Sequence, residues 1–159
     1  MATGGSEVLT AANFDRHMPV DADMSYEDML RVLENCPVHV DETVLPENVC
    51  GLYDESLRSI LIDSNMIEAQ KRVTLVHELF HWLHADDCCQ WQGRQMAELR
   101  AQRETAMMMI PPDRYIRAER EYDGDKFQIA CELEVTVRLV EIYREMLEGD
   151  ARLICRFVE

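Results

Sequence analysis

Apolar side chains along this chain recur mostly at helical spacing, interrupted once by a group of short β-type runs, and this pattern predicts the order of its elements. Ser25-Tyr26-Glu27-Asp28 resembles a capping box, and Met29, Leu30 and Leu33 follow at helical spacing until Pro37 stops them. A first helix is therefore predicted over about 25–35. Three β-type stretches come next, Val38–Val40, Cys50–Tyr53 and Ser59–Asp63, separated by the turn chemistry of Pro46-Glu47-Asn48 and Asp54-Glu55-Ser56. Leu52-Tyr53 and Ile60-Leu61-Ile62 read as the two arms of a hairpin.

A long helix over about 66–85 then sets Val73, Val76, Phe80 and Leu83 at i, i+3, i+7 and i+10, a stripe for burial, with His77, His81 and His84 on a neighbouring face. A second helix, Trp91–Met109, ends at Pro111-Pro112. Beyond it the pattern predicts a short helix over Asp113–Glu119, a turn at Asp123-Gly124, a helix pair over Phe127–Leu133 and Thr136–Leu147, and a terminal strand over Leu153–Val158. Residues 1–22 mix Gly, Ser, Pro and acidic side chains without a period and predict a flexible N-terminal arm. The expected fold class is α+β: a small β-sheet packed on the long helix and on the helix after it, with a C-terminal helix pair. At 159 residues this fits one domain, residues 121–159 belonging to the same compact unit as residues 23–120.

Charge narrows the partners. Sixteen Lys and Arg against 31 Asp and Glu give a net charge of -15, which repels phosphate backbones and anionic lipid. Direct nucleic-acid binding is disfavoured, Arg94, Arg100 and Arg103 forming the local basic exception, and a basic protein partner is favoured. Met1–Gly5 starts neither cationic nor apolar, and no segment approaches the roughly 20 apolar residues of a membrane span, so a cytoplasmic location is expected. Six cysteines then read as reduced thiols, Cys88-Cys89 being the pair whose place after the histidines invites a metal reading.

The chemistry is concentrated in His77-Glu78-Leu79-Phe80-His81. Histidines four residues apart lie on one face of a helix and can reach one zinc ion, while a glutamate beside the first can take a proton from water that the ion has made acidic. Catalytic zinc takes three protein ligands, and the sequence offers His84, Asp87 and Glu98 for the third. His84 stands roughly 10 Å further along the helix axis from His77, too far to join both rings. Asp87 occupies the +10 position of the extended HExxHxxGxxH arrangement but lacks its turning glycine, because His84 stands there. Glu98, on the next predicted helix, is preferred if the two helices run antiparallel; Glu104 competes from the same helix but from a different face.

Together these residues resemble the ImmA/IrrE family of metallopeptidases. The resemblance runs through Gly51-Leu52-Tyr53-Asp54, Ile60-Leu61-Ile62, Arg72 to His84, and Glu98-x-x-Ala101-Gln102 on to Ala106, Met109, Ile110 and Pro111. It continues in Ala130, Leu133, Val135, Thr136, Val140 and Arg144, which are similar to the family's downstream helix-turn-helix-like segment. There Glu132, Glu134, Glu141 and Glu145 point to partner docking or core packing in place of DNA reading. The resemblance implies a zinc metallopeptidase domain over residues 23–120, with one zinc ion held by His77, His81 and Glu98, and Glu78 as catalytic base. It further implies a site-specific regulatory protease of a phage, mobile element or stress response, cleaving a helix-turn-helix repressor. Two departures stand out: Gln102 where the family usually has Asn or Asp, and Phe80 where it usually has a small residue. They support a competing reading as a zinc-binding interaction module, a toxin–antitoxin or repressor partner with weak or no peptidase activity, which a fourth ligand such as Cys88 would favour. For the peptidase, Tyr53, Arg114 and Tyr115 are candidate oxyanion donors, and Ser59–Asp63 is a candidate edge strand for an extended substrate.

Overall fold

Ser25 starts the first helix as its sequence requires: its hydroxyl accepts the Asp28 N–H at 3.1 Å, satisfying one of the free amides of α1 (Tyr26–Leu33). Tyr26, Met29 and Leu33 turn that helix onto the core. In the computed structural model, which describes residues 16–86 and 91–157, the remaining elements are β1 (His39–Thr43), β2 (Gly51–Asp54), β3 (Ser59–Asp63), α2 (Glu68–Leu83), α3 (Trp91–Met109), α4 (Pro112–Glu121), α5 (Lys126–Leu133) and α6 (Val137–Phe157). The fold is α+β.

The sheet has the order β1-β3-β2. Strand β3 alternates so that Ile60 and Ile62 are fully buried beneath the helices. The hairpin forms as predicted, β2 antiparallel to β3 with Tyr53 opposite Ile60, whereas β1 adds in parallel on the other side with Val40 opposite Ile60. This arrangement corrects the substrate-edge expectation: β3 has a neighbour on both sides, so the strand with an open edge beside α2 is β2. β1 also runs further than its apolar stretch, through exposed Asp41, Glu42 and Thr43, because pairing to β3 and not burial carries it. Lys71 on α2 reaches across to Glu42 at 2.5 Å.

Within α2 the fully buried positions are Leu75, Val76, Leu79 and Trp82, while Val73, Phe80 and Leu83 pack against the core from its margin. The buried stripe is thus rotated from the predicted one and shares only Val76 with it. Pro111-Pro112 ends α3 and starts α4, Asp125 caps α5 by accepting from Phe127 and Gln128, and Glu134 turns the chain into α6 with φ of 54°. The predicted terminal strand does not form. Helix α6 continues to Phe157, in keeping with the helical spacing of Tyr143, Leu147 and Ile154, and a short apolar run read alone does not tell strand from helix.

Two arginines tie the chain ahead of α1 to the rest. Arg16 donates from both terminal nitrogens to Glu55, at 3.0 and 2.9 Å, donates to the Trp82 carbonyl, and lies over the Trp82 ring. Arg72, only 5% exposed, donates to the backbone carbonyls of Met24 (3.0 Å), Glu134 (3.2 Å) and Ala22 (2.5 Å). One guanidinium therefore joins the N-terminal segment, α2 and the α5–α6 turn. The arm expected over residues 1–22 lies outside the described residues as far as Asp15. No described helix is long and apolar enough to cross a membrane, and Cys36, Cys50 and Cys131 are free thiols.

Replacing Arg72 by Met keeps the length of the side chain but leaves three carbonyls without their donor, and should lower stability by about 3 kcal/mol. Urea unfolding checks this, with Arg31→Met as the control: Arg31 is an exposed partner of Glu27 and Asp28, and its loss should cost no more than about 0.5 kcal/mol.

Candidate metal centre

Because α2 buries Leu75, Val76, Leu79 and Trp82, the intervening His77, Glu78 and His81 face β2 and α3. The two imidazoles stand edge to face, ring centroids 4.8 Å apart, with their Nε2 atoms 3.1 Å from each other. Helix α3 supplies Glu98, whose Oε2 lies 3.2 Å from His77 Nε2 and whose Oε1 lies 3.4 Å from His81 Nε2. An ion about 2.0–2.1 Å from three tetrahedrally placed ligands would hold those ligands roughly 3.3 Å apart. The donor set and its spacing fit such an ion, and among the described residues His77, His81 and Glu98 are the group able to hold one.

The rest of the site orients these groups. His81 Nδ1 faces Asp86 Oδ2 at 2.9 Å, and Asp86 in turn accepts from Arg100 at 2.6 and 2.8 Å. An imidazole that gives its Nδ1 proton to a carboxylate turns the Nε2 lone pair toward the site. Burial alone makes His81 less basic, but hydrogen bonds to Glu98 and Asp86 outweigh it and push the ring up to about 9. Hydrogen bonds from His77 and His81 hold Glu98 well below the usual carboxylate range.

Glu78 is 7% exposed, and burial raises its carboxyl above the ordinary value against the pull of His77 and His81. The Tyr53 backbone N–H of β2 bonds to it. Such a close approach of strand to helix requires Gly51: a Cβ there would stand 2.5 Å from Thr74 Cγ2 and 3.1 Å from both Cγ and Oε1 of Glu78. A cleft follows this contact in two lobes, of about 210 and 590 Å³, that share Val49, Gly51, Glu78 and Glu98.

Helices α2 and α3 bring His77, Glu78, His81 and Glu98 together, and the competing candidates go elsewhere. His84 Nε2 pairs with Glu104 at 2.8 Å, while Asp87 and Cys88 lie outside the described residues. Phe80 packs against the core, and Gln102 lines the larger lobe. Of the oxyanion candidates, Arg114 pairs with Asp23 and Tyr115 accepts from Arg144, both away from the cleft; Tyr53 lines it, with its hydroxyl given to Glu55. The carboxylate beside His81 comes from Asp86, which neither the motif nor the family departures at Gln102 and Phe80 single out. The available signal was its place just past the end of α2, five residues beyond His81.

An α+β unit with two histidines on one helix, a glutamate on the next and a buried glutamate beside the first histidine is the arrangement of an HExxH metal-binding domain. The model of a peptidase family, described as the IrrE N-terminal-like domain, matches residues 41–142. The chain belongs to this ImmA/IrrE family. Among solved structures, a Mycobacterium tuberculosis transcriptional regulator is similar in fold, with a TM-score of 0.52 at 14% identity. The likeness covers 72% of this chain and 39% of the regulator's length. No curated protein matches significantly.

Gly51→Ala should cost about 1–3 kcal/mol and disturb Glu78, and adding Thr74→Ser, which removes the methyl group 2.5 Å from the new Cβ, should recover much of that loss. A double-mutant cycle by urea unfolding measures the recovery.

A divalent metal must displace the His81 proton, so affinity should rise about tenfold per pH unit toward 9 and level off above it. Asp86→Ala should weaken binding about 10- to 100-fold at fixed pH. Competition against a chromophoric chelator between pH 6 and 9.5 reads both effects.

Proposed function

We propose that this chain is a zinc-dependent metalloendopeptidase whose single zinc ion is held by His77, His81 and Glu98. The observation that carries this reading is the 3.1–3.4 Å triangle of ligand atoms with a buried Glu78 beside it. Zinc there would supply Lewis acidity, polarising a carbonyl oxygen and making water acidic enough to ionise near neutral pH. Glu78 takes the proton from the attacking water and delivers it to the departing amine nitrogen. Its burial favours the protonated form needed for that delivery, and Tyr53 N–H and the Gly51 contact hold its carboxylate in place. Asp86 and Arg100 keep the His81 ring turned toward the ligand triangle. The open edge of β2 receives the substrate backbone in extended form, beside Glu78.

Family membership supports a regulatory role: cleavage of a helix-turn-helix repressor of a phage, mobile element or stress response, in the cytoplasm. A net charge of -15 suits a basic partner of that kind. The regulator of similar fold is compatible with such a setting.

The decisive variant is Glu78→Gln, which keeps shape and hydrogen bonding but removes the base. Metal content, measured by elemental analysis, should remain close to one per chain, while cleavage of the cognate repressor falls by about 10²- to 10⁴-fold. Cleavage at the wild-type rate would sink the mechanism. Tight, metal-dependent binding of the repressor without cleavage by either protein would establish the interaction-module reading in its place.

A further inference from the structure

Helix α3 lays three polar side chains along the cleft at one-turn intervals: Arg94 in the smaller lobe, Glu98 at the ligand triangle, and Gln102 in the larger lobe. The described carboxylates near Arg94 are already engaged. Glu98 serves His77 and His81, and Asp86 serves His81 and Arg100. An arginine four residues before a glutamate is also the weaker order for a pair along a helix. Accordingly, Arg94 makes no hydrogen bond or ion pair with any described residue, although it is the one arginine or lysine among the described residues lining the smaller lobe. Val49 and Leu52, both partly exposed, give that lobe an apolar flank on which the methylene stem of an arginine can lie.

We propose that Arg94, standing one helical turn from Glu98 in the smaller lobe and uncommitted among the described residues, determines specificity by binding an Asp or Glu side chain of the substrate close to the cleaved bond. This rests on the peptidase reading above and adds to it the class of peptide taken. A guanidinium binds a carboxylate through two parallel hydrogen bonds, and the match is strongest where neither partner has another. Residues one turn apart on a helix have Cβ atoms about 5–6 Å apart, and an extended peptide advances about 3.3 Å per residue. The acidic residue therefore falls within about two positions of the scissile bond, always on the same side. A basic repressor with an acidic residue at its cleavage segment satisfies both this local demand and the overall charge of the chain.

A randomised peptide display library tests the proposal. It is selected on zinc-loaded chain carrying Glu78→Gln, then on the same chain with Arg94→Glu added, and the same library is digested with the wild type. The expected result is enrichment of Asp and Glu at one fixed position on the first chain, with Lys and Arg replacing them there on the second. Discrimination of about 10- to 100-fold is expected in each case. Arg94→Lys should retain the acidic preference. A selection without an acidic position, one that Arg94→Glu leaves unchanged, or a library from which neither chain retains a peptide overturns the inference. Digestion at sites with no acidic preference overturns it while leaving the peptidase reading in place. Acidic selection without any digestion overturns the peptidase reading and leaves Arg94 as the recognition residue.

Discussion

Helix α2 cannot rotate, and the rest of the molecule is arranged around that fact. Leu75, Val76, Leu79 and Trp82 are closed into the core, Arg72 is held by three backbone carbonyls, and β2 lies so near that Gly51 has no room for a side chain. A helix turns 100° per residue, so rolling α2 by even one position would carry His77 and His81 off the face that Glu98 meets. Packing in a protein interior is close to crystalline, and these contacts fix the azimuth of the helix more firmly than the polar groups of the site could alone. The geometry of the candidate site is a by-product of core packing.

Much of the site was legible because one short motif carries its own geometry. His77 and His81 needed nothing but a helix to face the same way, and the placement of α3, which brings Glu98 to these two histidines and Glu104 to His84, separates the two carboxylates. Gly51 and Asp86 were harder. A glycine in a strand signals close approach without naming what approaches, and Asp86 belongs to a loop whose path depends on where α3 starts. The fold shows the same division. Local signals found the helices, including the Ser25 cap and the Pro111-Pro112 break, whereas the parallel pairing of β1 and the continuation of α6 through Leu153 depend on partners or lengths that a short window does not contain.

Charge in this chain is distributed by function as well as by amount. The molecule is strongly acidic, yet Arg94, Arg100 and Arg103 sit on the helix that carries Glu98. Arg100 is spent on Asp86 and so on the orientation of His81, two residues from the carboxylate that the same helix contributes. Helix α3 thus delivers one anion to the centre and a cation to its support. Its mixed character explains why no clear apolar stripe marks it in the sequence: one side faces the core through Ala101, Thr105 and Ala106, while Met96, Leu99 and Met107 are exposed on the other.

The mutual contacts of His77, His81 and Glu98 have a consequence for the life of the molecule. The apolar cluster containing Leu79 and Trp82 is built without these three side chains. An ion bound between them would therefore enter a site already shaped by packing, in contrast to zinc fingers, where the ion is the folding agent. Its occupancy would then follow free metal and acidity at the moment of need, and would change without synthesis or degradation of a single chain.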